Sequence, residues 1–177
     1  PVERAVALTR KMVDTIGASP VPVAATFSQR YLQLPAQESI LYAEQLEVNN
    51  SAFRRDYYLG ETTPHTRALT ALLNPFLYQP FFTEMRTRQQ LGYIVAAGAA
   101  SLNPDQAYLY FIIQSATHGA DDVEQLASEF IATLPATFDA ITEEAFNDLK
   151  AAAIEELRQK EKTIAEKAST LNALAFT

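Results

Sequence analysis

Cysteine is absent from the 177 residues. That excludes disulfides, thiolate metal sites and a cysteine nucleophile, and it fits cytosol and periplasm equally. Histidine is nearly absent: His65 and His118 lie far apart, and neither has a second His three to five residues away. With no His-Glu-x-x-His and no inverted His-x-x-Glu-His, both read as surface residues at helix ends rather than as metal ligands. Glycine is scarce, at 17, 60, 92, 98 and 119, and matches neither a phosphate loop nor a dinucleotide fingerprint. There is no Gly-x-Ser-x-Gly elbow. No apolar run reaches the roughly 18 residues of a membrane span, and no N-terminal signal pattern is visible.

What is present is a globular composition. Apolar residues make up 48%, enough for one sizeable core and too many for a disordered chain. The net charge is −7, and no basic tract interrupts it, which argues against nucleic acid and anionic membrane as partners. Residues 1–88 carry net +1 and residues 89–177 net −8. Solvated acidic helices in the second half account for that asymmetry. The paired carboxylates Asp121-Asp122, Glu143-Glu144 and Glu155-Glu156 lie at or on those helices, where capping and hydration explain them.

The apolar steps of three and four from Val2 to Ile16 predict a helix, with Gly17 as its left-handed cap. A loop or an edge strand is expected around Val23–Phe27, between prolines. Strands are expected at Ile40–Val48 and Ala52–Leu59, joined by a turn at Asn49-Asn50-Ser51. Thr63-Pro64 is a helix start. Pro75 predicts a kink or break near Asn74, Pro80 an end to the run, and Phe81–Gln90 a separate short helical piece. Tyr93–Ala100 and Ala107–Ser115 read as a hairpin turning at Asn103-Pro104-Asp105, the second strand apolar enough to be central. Asp121 is a candidate cap for a helix stopped by Pro135. Thr142 caps a last helix of about 25 residues or more by pattern. Hairpins imply antiparallel pairing, so the fold class is α+β, an antiparallel sheet with helices on one face. Phe111, Ile113, Phe130, Leu134, Phe146 and Leu149 are the expected core.

On residue chemistry the chain carries no complete active site. One segment, Phe82 to Tyr93, is distinctive. Arg86 offers a rigid fork of donors suited to carbonyl or carboxylate oxygen, and Tyr93 a phenolic donor on a rigid ring. Converging beside a sheet edge, the two could orient a peptide and polarise its carbonyl. The alternative is a surface Arg and a core Tyr that begins a strand.

The run Arg86-Thr87-Arg88-Gln89-Gln90-Leu91-Gly92-Tyr93-Ile94-Val95 resembles the R-T-x-x-Q-L-G-Y-x-V motif of the insulinase (pitrilysin) family of inverted-zincin metallopeptidases. The likeness extends to Tyr110-Phe111-Ile112-Ile113-Gln114-Ser115, to Glu47-Val48-Asn49-Asn50 with Tyr57-Tyr58, and to Thr142-Glu143-Glu144-Ala145-Phe146. The resemblance implies an insulinase/processing-peptidase-like metallohydrolase domain over residues 1–177, truncated, C-terminal and non-catalytic. In the large peptidases four homologous domains form two halves around a closed chamber, with zinc in the first domain. The resemblance therefore implies no cofactor on this chain and zinc in the parent enzyme. It implies two partners, a peptide substrate and the N-terminal catalytic half of the same protein. It makes Arg86 and Tyr93 substrate-binding residues, and bacterial relatives suggest the periplasm. It also admits a zinc-free structural or protein-interaction subunit of the same fold.

Overall fold

The computed structural model describes residues 2–17, 19, 38–45, 47–103 and 106–176. They fall into two compact units, Pro1–Glu44 and Gln45–Thr177. In the first, helix α1 (Val2–Ile16) is closed by Gly17 at φ 64°, whose amide reaches the Asp14 carbonyl at 3.2 Å. The helix buries none of its residues. The strand expected at Ile40–Val48 does not form: residues 40–45 carry no regular structure and 47–49 form a bend. A strand exists only through a ladder, and among the described residues no partner lies along this segment. The expectation for Val23–Phe27 lies outside the described residues.

The second unit is built on three antiparallel strands, β1 (Ser51–Gly60), β2 (Ile94–Asn103) and β3 (Gln106–Ser115), in the order β1-β3-β2. The apolar run is central, as its composition predicts. Register places Phe53 opposite Ile113, Val95 opposite Ile113 and Ala97 opposite Phe111. These side chains share one face, because strand side chains alternate. Pro104 and Asp105 of the expected hairpin turn lie outside the described residues.

Helix α2 (Pro64–Phe82) starts at Thr63. Its hydroxyl accepts from the Thr66 amide, while the Thr66 hydroxyl accepts from the Thr63 amide, a reciprocal cap. The helix then runs through Pro75 and Pro80 into a π-helical turn, Thr83–Arg88, instead of ending at Pro80. An interior proline costs about 3 kcal/mol. Burial of Leu77 and Phe81 around the two prolines offsets it, since packing outweighs propensity in a tertiary context. Asn74 also ties the helix to the sheet: its Oδ1 accepts from the Ala99 amide of β2 at 2.7 Å, covering part of that edge.

Helix α3 (Ala120–Asp139) begins at Gly119, which has extended dihedrals and no side-chain cap; Asp121 lies inside the first turn and is not the cap. The helix continues past Pro135, where Phe138 stacks on Phe76 with centroids 4.3 Å apart. Val123, Ala127 and Leu134 join the core. Phe81 sits edge-on to Phe111 (5.3 Å) and to Phe130 (5.2 Å), linking helix, sheet and helix. Arg55 braces β1 to α3 through Ser128 Oγ and Glu124 Oε1, both at 2.9 Å.

The long last helix is in fact two. Helix α4 (Glu143–Arg158), capped by Thr142, packs on α2; helix α5 (Ile164–Phe176) follows a break. The hydrophilic stretch Gln159–Lys162 has no apolar side chain to hold a face down. Thr163 starts a new helix: its hydroxyl accepts from the Glu166 amide, and the Glu166 carboxylate accepts from the Thr163 amide. Because α4 lies on α2, Phe146 remains 46% exposed and is not core; Leu149 is half-buried. Among the described residues no helix is long and apolar enough to cross a membrane.

Candidate functional site

The end of α2 and the start of β2 meet at the distinctive segment. In the π-helical turn the Gln89 amide reaches back five residues to the Glu84 carbonyl, and the Leu91 amide reaches the Met85 carbonyl, both at 2.9 Å. Such widened turns favour functional positions because they re-aim side chains. Met85 and Leu91 are buried and anchor the turn to the core. Glu84 braces its outer side, holding Arg88 at 3.0 Å and Gln89 at 3.1 Å.

Gln90 then reverses the chain at φ 54°, and Gly92 crosses the end of β3. A Cβ at Gly92 would overlap the Gln114 carbonyl oxygen, 2.8 Å from its carbon and 3.1 Å from Ser115 Cα. Only glycine allows that crossing. It delivers Tyr93 to the rim of the sheet, one residue before the β2–β3 ladder begins with Ile94 opposite Gln114.

There the structure brings Arg86 and Tyr93 together. Arg86 Nη1 donates to the Tyr93 carbonyl at 2.6 Å across a separation of seven residues. The guanidinium carbon lies 4.8 Å from the Tyr93 ring centre and 5.2 Å from that of Phe82. Phe82 stacks in turn on Tyr78, at 5.8 Å. The ladder Tyr78–Phe82–Arg86 follows helical spacing and ends on Tyr93. Tyr93 is 81% exposed, so it is not the core residue of the alternative reading. Its hydroxyl has no partner among the described residues. Half-buried Arg86 keeps donors beyond the one given to the Tyr93 carbonyl. Tyr78, and the packing role of Phe82, are additions to what the sequence suggested; their positions eight and four before Arg86 were the available signal.

No group of three or more His, Cys, Asp or Glu among the described residues is placed to hold a metal ion. His65 lies exposed in the first turn of α2, and His118 Nδ1 pairs with Thr117 Oγ1 at 3.0 Å. The described residues therefore do not fit a zinc site.

The family described as PQQ synthase PqqF-like, C-terminal lobe domain 4, matches residues 72–172, a span that includes the whole Arg86–Tyr93 segment. Human insulin-degrading enzyme is 33% identical over 141 residues, which are 77% of this chain and 13% of that protein. Insulin-degrading enzyme of Drosophila melanogaster is 29% identical over 155 residues, 86% of this chain and 16% of that protein. The crystal structure of pitrilysin superposes with a TM-score of 0.60 and 25% identity, over 71% of this chain and 13% of that one. The chain belongs to the insulinase family, as a C-terminal lobe domain of the PqqF-like kind. It spans about a seventh of the length of these relatives.

Proposed function

We propose that this chain is the substrate-contacting, non-catalytic C-terminal domain of a zinc metalloendopeptidase that hydrolyses peptides in a closed chamber. The observation that carries the reading is the placement of Tyr93: exposed, stacked on Arg86, and held by the Gly92 crossing. A surface tyrosine fixed this firmly with an unused hydroxyl is a donor waiting for an acceptor. Among the described residues no group of His, Cys, Asp or Glu is placed to hold a metal ion, and this reading assigns the metal chemistry to the N-terminal half of the parent. The contribution of this chain is orientation and charge stabilisation. Tyr93 donates to the substrate carbonyl oxygen as it gains negative charge, and the free donors of Arg86 grip a neighbouring carbonyl. Arg86 has a second task, because its bond to the Tyr93 carbonyl holds that residue in place.

Kinetics of the parent enzyme test this. Tyr93→Phe deletes one oxygen and keeps the ring, so turnover should fall strongly while metal content and melting temperature stay put. Arg86→Ala should lower turnover and raise the Michaelis constant. Unchanged kinetics in both variants would sink the contact role of this segment, and a parent with neither bound zinc nor peptidase activity would instead support the zinc-free structural or interaction subunit of the same fold.

A further inference from the structure

Gln90 is the only non-glycine residue with positive φ among the described residues. It stands in the left-handed region directly after the C-cap Gln89, the position that glycine usually fills and asparagine sometimes does. A residue with a Cβ is strained there, and glycine would hold the same turn without strain. The backbone does not need the side chain: the turn is fixed by the amides of Gln89 and Leu91, which bond Glu84 and Met85. Nor does packing, since Gln90 is exposed. Its neighbour is instructive. Gln89 spends its carboxamide on Glu84, whereas the carboxamide of Gln90 has no partner among the described residues. Strain kept at a position beside a site is a pointer to function, and Gln90 lies three residues before Tyr93 in the segment that joins the π-helical turn to β2.

We infer that Gln90 is a further substrate-contacting residue, whose carboxamide pairs with the backbone N–H and C=O of an extended peptide beside the bond that Tyr93 addresses. A primary amide carries both a donor and an acceptor, the complement of a peptide group. That contact is indifferent to substrate side chains, so it supports binding of peptides of varied sequence. The inference rests on the proposed function and deepens it by adding a main-chain contact.

The test uses the full-length parent with Gln90→Gly and Gln90→Glu. Gly relieves the strain and removes the amide; Glu keeps the length and loses the donor. Gln90→Gly should raise the Michaelis constant about five- to twentyfold with turnover nearly kept, because a contact used equally in ground and transition state is lost. Gln90→Glu should raise it too. Protection of the Leu91 amide against hydrogen exchange should hold or increase in Gln90→Gly, since its bond to Met85 is retained. An unchanged Michaelis constant in Gln90→Gly overturns the inference. So does lost Leu91 protection, which would make the side chain structural. A fall in turnover with the Michaelis constant unmoved also overturns it, because that pattern marks an interaction made only in the transition state. Tyr93→Phe assayed alongside separates the two readings. If it is impaired while Gln90→Gly is silent, the main-chain contact alone fails; if both are silent, the proposed function fails as well.

Discussion

Replacing Gly92 by alanine should destabilise this chain by about 3 kcal/mol, the upper part of the range for inserting a methyl group into a filled space. The added Cβ would overlap the Gln114 carbonyl oxygen, and its next contacts, at 2.8 and 3.1 Å, are also backbone. No flexible side chain can swing aside. Relief requires parting the start of β2 from the end of β3, where Ile94 faces Gln114. A loss of that size is about a hundredfold in the unfolding constant. Urea unfolding followed by circular dichroism reads it directly, provided the slope with denaturant is unchanged. Gly119→Ala is the control: its Cβ would meet only Asp122 Oδ2 at 3.5 Å, an ordinary contact, and φ there is −67°. As the exchange of one cap residue for a poorer one, it should cost about 1 kcal/mol or less. If Gly92→Ala is no worse than Gly119→Ala, the crossing that delivers Tyr93 to the rim is not as described.

Two further outcomes test the packing. Phe111→Ala should cost about 3–5 kcal/mol, because the ring is buried between Phe81 and Tyr57, whereas Phe146→Ala should stay within about 1 kcal/mol because the ring is half exposed; equal losses on thermal or urea unfolding would contradict the placement of α4. Arg55→Met removes the bonds to Ser128 and Glu124 while keeping a stem over Phe53. It should cost about 1 kcal/mol at low salt and less at high salt, and neutrality at low salt would show that the brace does not hold β1 to α3.

Local signals announced much of this fold. Thr63-Pro64 and Thr142 start their helices as written, and the apolar run of β3 lies at the sheet centre. Two prolines misled for one physical reason. Pro80 and Pro135 are local penalties, while Phe81 and Phe138 are anchored by tertiary partners that a sequence does not display. The break between α4 and α5 was in fact legible: Thr163-Ile164-Ala165-Glu166 is a capping box, obscured by an apolar stripe that resumes at Ile164. Phe146 looked like core because its helix has an apolar stripe, but which stripe is covered depends on how α4 lies against α2. At the site, the spacing of Arg86 and Tyr93 was visible and their contact was not. Contact needs the widened turn, the reversal at Gln90 and the crossing at Gly92, and only the glycine carries a recognisable signal.

The central claim is that the Tyr93 hydroxyl acts on substrate chiefly as charge develops on the carbonyl oxygen. The most direct measurement compares two affinities of the full-length parent and its Tyr93→Phe variant. One ligand is an uncleaved peptide; the other is the matching peptide with a tetrahedral phosphonate at the cleaved bond. The account predicts that the variant loses about 100- to 1,000-fold in affinity for the phosphonate, the scale of one oxyanion donor, and about twofold or less for the peptide. Equal affinities of parent and variant for the phosphonate would contradict it.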